Sequence, residues 1–395
     1  MKGRDVKFNI KEVFIIVIIS TLFMSVLTGF LVYKKFNDGV TKTNNKYINE
    51  FIKAYNDVLN NYYENVDEEK IIDAAINGMF GYLGDDYTTY LDEENTNDLN
   101  EKLAGTYEGI GVTISKSDDG NVVIKSVLDG SPAKKSGLLV GDIIKEFNGK
   151  LVKDLSMNDL TDEMSNADKI KLLIARNNEE KSFELEKKQL LVPAITNDVK
   201  ETKSGKKIGY MHLSSFTSSL SIQFKQQLAK FENQKIDNLI LDLRGNSGGY
   251  LKSATDIIEM FLEKDKIMFS LQYKNKKVDY KDETDEAKKM NIVILINKGS
   301  ASASEVLTSA LKDYGKATVV GETSYGKGKV QMTGELEDGS MYKYTSATWL
   351  TPKGECIDKK GIVPDYEVLL DDTYLDNPIP ENDNQLNKAI ELFEN

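Results

Sequence analysis

Histidine is nearly absent from this chain of 395 residues: His212 is the only one. A two-histidine metal site is therefore excluded, and a serine–histidine–aspartate triad would have to run through that single residue. His212 sits in a strand-like stretch, Met211-His212-Leu213, and reads as structural. Cysteine is as scarce, with Cys356 alone, which excludes an intrachain disulfide and a cysteine-rich zinc site. Positive charge is outnumbered, 51 Lys and Arg against 63 Asp and Glu. The net charge of −12 argues against binding along a nucleic-acid backbone. Neither a metal nor a cofactor is expected, and hydrolytic chemistry here would run without a histidine base.

What is present is an ordinary globular balance, 40% apolar and 29% charged, in a chain long enough for two or three domains. Residues 13–33 form an uncharged apolar run. At about 1.5 Å per residue it spans roughly 30 Å, one bilayer core. Lys2, Arg4, Lys7 and Lys11 precede it and Lys34 and Lys35 follow it, so residues 1–12 are read as cytoplasmic and the bulk of the chain as extracytoplasmic. A cleaved signal peptide is the rival reading, but its apolar region is usually shorter and no small-x-small site closes this run. An uncleaved single-pass anchor in the cell membrane is expected.

Beyond the anchor, residues 43–104 carry apolar side chains at helical spacing and are expected to be helical. Residues 105–188 alternate apolar and polar positions in short strands. Ser131-Pro132 has the form of a helix N-cap followed by proline at the first helical position, Ser156 can cap a second helix, and Asn148-Gly149 is a tight-turn signal. Strands with two short helices in that span make a separate small domain. Residues 189–370 then alternate strand and helix, with the fully apolar strands Asn238–Leu243 and Ile292–Ile296, which argues an α/β domain with parallel pairing. Residues 371–395 end in a helix over Gln385–Phe393.

Three segments could carry chemistry. Gly299-Ser300-Ala301-Ser302-Ala303-Ser304-Glu305 lies between an apolar strand and a helix. A serine there has helix N–H groups beside it, but Ser302-x-x-Glu305 is also a capping box, and the local pattern does not separate nucleophile from cap. A hydroxyl needs a base, and a lysine serves if it is kept neutral. An unperturbed lysine is neutral in only about one molecule in 2,500 at pH 7, so burial would have to lower it by about three units. The S-x-x-K spacing recurs at Ser131, Ser204, Ser309, Ser324 and Ser340 and does not choose the lysine. Gly321-x-x-x-x-Gly326-Lys327 has the outline of a phosphate-binding loop, but Gly328 stands where Ser or Thr should hold magnesium, and strand-like sequence follows where a helix should. Asp242-Leu243-Arg244-Gly245-Asn246-Ser247-Gly248-Gly249 closes a buried strand; its glycine amides could form an anion nest if they faced Ser302.

Taken together and in this order, these segments resemble the carboxy-terminal processing peptidases, the S41 family of serine peptidases. The matching blocks are Asp242–Gly249, Ser300–Glu305, Gly321–Gln331, Thr351-Pro352-Lys353-Gly354 and Gly361-Ile362-Val363-Pro364-Asp365. The resemblance implies Ser302 as nucleophile, Lys327 as base, Gln331 as the residue orienting that lysine, and the amides of Gly248 and Ala303 as the oxyanion hole. It makes residues 105–188 a PDZ domain with its carboxylate-binding loop at Gly109-Ile110-Gly111-Val112. Asp85-Asp86-Tyr87-Thr88-Thr89-Tyr90 is similar to a stretch of the family's helical cap, and the catalytic fold implied is a crotonase-like α/β core. Ser247 and Asp86 stand where the family usually has proline, which puts only local loop rigidity in question.

The expected activity is that of a membrane-anchored serine endopeptidase whose PDZ domain takes protein or peptide substrates by their C-termini. The alternative is a non-catalytic PDZ adaptor in the cell envelope. The helical ends are suited to a homodimer.

Overall fold

The computed structural model describes residues 45–117 and 119–394. The apolar run at 13–33 lies outside the described residues; no helix among those described is long and apolar enough to cross a membrane. The chain divides into two compact units between Ile76 and Asn77. In the first, helix α1 (Lys46–Asn61) is capped by Asn45, whose side chain accepts from the Tyr47 N–H. Helix α2 (Glu68–Gly81) starts with Glu68 and Glu69, placing negative charge at the positive end of the helix dipole. Tyr55 donates to Glu68 at 2.8 Å, but α1 buries none of its residues.

In the second unit the helical expectation for 43–104 fails at one place. Residues Thr89–Leu91 form strand β1, which pairs antiparallel with residues 341–343. Its partner lies far along the chain, so no local periodicity marks it. Helix α3 (Glu93–Ala104) follows, capped by Asp92 and closed by Gly105 at φ 71°.

The small domain then runs β2 (Thr106–Gly109), β3 (Val112–Lys116), β4 (Val122–Val127), α4 (Pro132–Ser136), β5 (Ile143–Phe147), β6 (Lys150–Leu151), α5 (Met157–Asn166), β7 (Lys169–Arg176), β8 (Glu179–Glu186) and β9 (Lys188–Leu191). Strands β3-β4-β5-β7-β8 form its sheet in that order, with β3 at one edge. Ser131 and Ser156 cap α4 and α5 as their sequences suggest, and Asn148 and Gly149, both at positive φ, turn β5 into β6. Ile170, Leu172 and Ile174 alternate inward onto Ile124, Ile144 and Leu160. The entering and leaving strands, β2 and β9, pair with each other as a two-stranded ribbon.

The large domain runs β10 (Ile195–Glu201), β11 (Lys207–Leu213), α6 (Leu220–Asn233), β12 (Asn238–Asp242), α7 (Leu251–Ile258), β13 (Ile267–Tyr273), β14 (Lys277–Lys281), β15 (Asn291–Ile296), α8 (Ala303–Asp313), β16 (Ala317–Gly321), β17 (Lys329–Glu335), β18 (Met341–Leu350), β19 (Tyr366–Glu367), α9 (Asp372–Asp376) and α10 (Asn384–Glu391). One sheet has the order β10-β11-β12-β15-β16-β19, parallel from β11 onward. Both of its faces are covered, which is why its strands read as continuous apolar runs. Leu239, Leu241, Ile292 and Ile294 pack with Phe224, Leu307 and Trp349, while Ile240, Val293 and Leu295 face Leu386, Ala389 and Phe393 from the C-terminal segment. A second sheet has the order β1-β18-β13-β14, with β17 also on β18. Parallel strands end at the same side, so the turns after β12, β15 and β16 meet there.

Candidate active site

The turn after β15 decides among three serines. Ser300 and Ser304 are wholly buried. Ser300 Oγ donates to the Leu243 carbonyl and Ser304 Oγ to the Asn246 carbonyl, both at 2.8 Å. Those two hydroxyls are spent tying the turn to the segment after β12. The serine between them, Ser302, is half-buried and sits at φ 54°, ψ −113°, a conformation that costs a non-glycine residue about 1–3 kcal/mol. The ties on either side hold it there. Its N–H donates to Glu305 Oε2 at 2.8 Å, which is the reciprocal arm of a capping box.

Glu305 reaches further than its own helix. It is 1% exposed, and it also accepts from Ser324 Oγ (2.6 Å), Gly326 N–H (2.6 Å) and Lys327 N–H (2.9 Å). One buried carboxylate thus joins the Ser302 turn to the turn that carries Lys327. The Lys327 carbonyl accepts from Trp349 Nε1 at 2.8 Å, fixing the same residue from the other sheet. The glycines flanking the lysine are packing requirements. A Cβ on Gly326 would lie 2.8 Å from Gly361 N, and one on Gly328 would lie 2.7 Å from Asp358 N. The outline of a phosphate loop is therefore a turn pressed against residues 357–361, and strand β17 follows it.

Lys327 is partly withdrawn from water, and burial pushes its ammonium below the ordinary lysine range. The charge of Lys343 acts the same way, and the Glu305 carboxylate opposes both. Its Nζ lies 4.9 Å from the centre of the Tyr87 ring. Gln331 pairs across β17 and β18 with Thr345, Nε2 to Oγ1 at 3.4 Å, so its partner here is not the lysine.

The Asp242–Gly249 segment does face Ser302. A Cβ on Gly248, at φ 104°, would come within 2.9 Å of Ser302 Cβ and 3.1 Å of Ala303 N. Only glycine permits that approach. Ala303 is the first residue of α8, where an N–H has no partner inside the helix. The Gly248 N–H donates to Asn246 Oδ1 at 2.9 Å, so it serves an oxyanion only by sharing or exchanging that bond. His212 lies in β11 between Met211 and Leu213, whose side chains enter the core that also contains Ala303; the alternation puts its own side chain on the opposite face.

In the small domain, Gly109 ends β2, and Ile110 is buried with its carbonyl accepting from the Ala133 N–H at 2.9 Å. Gly111 is at φ 86° and its carbonyl accepts from Leu128 N–H. Val112 opens β3, which has β4 on one side only. This loop leads directly into an edge strand. Glu305, Ser324 and Tyr87 were not singled out for the site by sequence. The capping box is the one signal for Glu305; Ser324 stands only in an S-x-x-K spacing that does not choose the lysine, and Tyr87 only in the stretch similar to the family's cap, neither with a role in the site.

Three family models match the chain: the activating protease CtpB N-terminal domain at residues 32–95, a PDZ domain at 108–186 and peptidase family S41 at 207–368. A "Probable CtpA-like serine protease" of Staphylococcus aureus (strain COL) is 35% identical over 364 residues, covering 90% of this chain and 72% of the relative. The carboxy-terminal processing protease CtpB of Bacillus subtilis (strain 168) is 35% identical over 338 residues, covering 85% and 70%. Among solved structures, the photosystem II D1 C-terminal processing protease is similar with a TM-score of 0.50 and 25% identity, over 80% of this chain and 92% of that one.

Proposed function

Since this chain belongs to peptidase family S41, serine-type carboxy-terminal processing proteases with a PDZ domain, we propose that it cleaves peptide bonds with a Ser302–Lys327 dyad. The observation that carries this reading is Glu305, which binds the backbone of Ser302 and of Lys327 with one carboxylate and so makes nucleophile and base a single unit. Burial of Lys327 supports the same roles, because only a neutral lysine can take a proton.

In this reading the substrate's C-terminal residues add a strand to the free edge of β3, with the terminal carboxylate at the Gly109–Val112 loop. Ser302 Oγ attacks the scissile carbonyl as Lys327 Nζ takes its proton. The oxyanion is received by the Ala303 amide and, once released from Asn246, the Gly248 amide; each such donor is typically worth about 3 kcal/mol. Lys327 then protonates the leaving amine, and water repeats the sequence on the acyl-enzyme. Gln331 would turn from Thr345 to orient the lysine. The apolar run at 13–33 would hold the peptidase at the outer face of the cell membrane.

The test is cleavage of an unfolded protein by the wild type, Ser302→Ala and Lys327→Ala. Loss of turnover in both variants, with a folded melting transition retained, is expected. Full activity in Lys327→Ala would sink the dyad, and equal turnover in all three would leave an adaptor.

A further inference from the structure

The stretch Asp85–Tyr90 takes no part in the mechanism above, yet it crosses directly beside the base. It is held at both ends. On one side Asp85 pairs with Lys329 Nζ at 3.1 Å and accepts from Thr88 Oγ1 at 2.6 Å, and the Thr345 N–H donates to Thr88 Oγ1 at 3.1 Å. Burial would raise the Asp85 carboxyl, but Thr345, Thr88 and Lys329 outweigh it and hold the group down to about 2, so it stays charged. On the other side, Thr89–Leu91 is locked into the sheet by β18. Between these fixings Tyr87 presents its ring face to two ammonium groups, Lys327 Nζ at 4.9 Å and Lys329 Nζ at 5.8 Å from the ring centre.

The two lysines are not equivalent. Lys329 has Asp85 as a counter-ion and remains charged. Lys327 faces the like charge of Lys343 from β18 and the Glu305 carboxylate from α8, whose oxygens are already taken by four donors. Burial first, then a hydrogen bond with Tyr325 and the charges of Asp358 and Asp86, push the Tyr87 phenol up to about 12. The ring is thus the uncharged wall of the lysine's site.

We propose that Tyr87 is a positioning residue for the general base: its ring keeps water from Lys327 and receives the ammonium on its face while the lysine holds the Ser302 proton. This rests on the reading of Lys327 as base. The two effects have opposite signs. Cover favours the neutral amine that can accept a proton, whereas the π face favours the ammonium. The cover raises the energy of the ammonium and the face returns part of it, so the ring leaves a lysine that is neutral more often than a hydrated one yet still able to hold the proton. A tyrosine is not required for this, only an aromatic ring.

The experiment measures kcat/KM of the full-length protein on fluorescein-labelled casein from about pH 6 to about pH 10 for Tyr87→Phe, Tyr87→Leu, Tyr87→Ala and Lys327→Ala, with melting curves beside each. Tyr87→Phe should follow the wild type within about twofold. Tyr87→Ala admits water, so its rising limb should move up by about one pH unit, a roughly tenfold loss near pH 7 that closes toward pH 10. Tyr87→Leu keeps the cover without the face, so its limb should move down by a fraction of a pH unit, the opposite direction to alanine, with a plateau several-fold lower, about 1 kcal/mol of cation–π attraction. A Tyr87→Ala profile parallel to the wild type, at any height, overturns the proposal. So does Tyr87→Phe losing as much as alanine, which would give the role to the hydroxyl. Should Tyr87→Ala melt below the assay temperature, an unchanged plateau in Tyr87→Leu overturns it instead. Full activity in Lys327→Ala would remove the base itself, whereas an inactive Lys327→Ala beside a parallel Tyr87→Ala removes only the wall.

Discussion

Glu305 brings a carboxylate into the middle of a folded domain, and what keeps it there is a set of four donors. Each oxygen accepts two of them, so an amide in its place would aim its own N–H groups at two donors whichever way it turned. Glu305→Gln should therefore cost about 2–6 kcal/mol, two buried donors at about 1–3 kcal/mol each. Urea unfolding measures this, and an unchanged midpoint would refute the four-donor account. Turnover should fall with it, because the Ser302 and Lys327 turns lose their common anchor. Lys327 gives a second prediction, with a definite sign. Its folded pKa lies below its unfolded value, so between the two the unfolded chain binds more protons and stability rises with pH. Lys327→Met should be more stable than the wild type near neutral pH, and the difference should vanish as pH rises toward the ordinary lysine range. Thermal melts across pH decide it; a gain that persists unchanged at high pH would mean that burial does not lower the lysine's pKa in the folded chain. Of these residues the sequence shows Glu305 as a cap and no more, because a capping box is local and the other three bonds come from turns folded in from elsewhere.

At the scale of elements, the C-terminal helix α10 closes the far face of the parallel sheet and also reaches the site. Its N-cap, Asp383, binds Arg244 at 2.7 and 3.0 Å, and Gln385 adds a further acceptor. Arg244 in turn grips Asp242, which also accepts from Tyr210 Oη at 2.8 Å. Arg244 opens the segment that leads to Gly248, so the tail steadies the turn facing Ser302. Removing one partner of a buried ion pair typically costs about 3–5 kcal/mol. Asp383→Leu should approach that loss, Arg244 keeping only Asp242 as counter-ion, and Arg244→Met should cost more because it strands both carboxylates; the double variant should cost less than the sum of the two, since Asp383 is then no longer a buried charge without its partner. A double-mutant cycle on unfolding free energy checks both, and simple additivity would mean the pair is not coupled. The helix over 385–393 and the turn at Asp242–Gly249 were both legible in the sequence, one from its periodicity and the other from its glycines. Their partnership was not, because it joins residues 139 apart. The same reason hides strand β1 and the pairing of β13, both of which lie against β18.

At the scale of the whole second unit, the small domain is joined to the large one by the ribbon of β2 and β9, and the end of α3 that leads into that ribbon is bonded to the site's own scaffold. Val192 N–H donates to the Gly105 carbonyl at 2.8 Å and Ser218 N–H to the Leu103 carbonyl at 3.0 Å. Two residues before Ser218, Phe216 donates its N–H to the Gly248 carbonyl at 2.9 Å, and Tyr250 N–H returns to the Phe216 carbonyl at 2.7 Å. Residues 214–218 thus touch the end of α3, just before the ribbon, on one side and the turn beside Ser302 on the other. Gly105 is where this linkage is tightest: it stands at φ 71°, and a Cβ there would meet Thr217 Cγ2 at 2.6 Å. Gly105→Ala carries about 1–2 kcal/mol of left-handed strain and must also push Thr217 aside. The strain alone would only lower stability. The displacement predicts more, a fall in kcat on unfolded protein while a fluorescent peptide with a free C-terminus binds the small domain as before, because β3 and the Gly109–Val112 loop are untouched. Anisotropy and turnover measured on the same preparation separate the two effects. A variant that melts earlier but turns over normally below its melting point would show that 214–218 merely packs between helix end and turn and transmits nothing to Gly248.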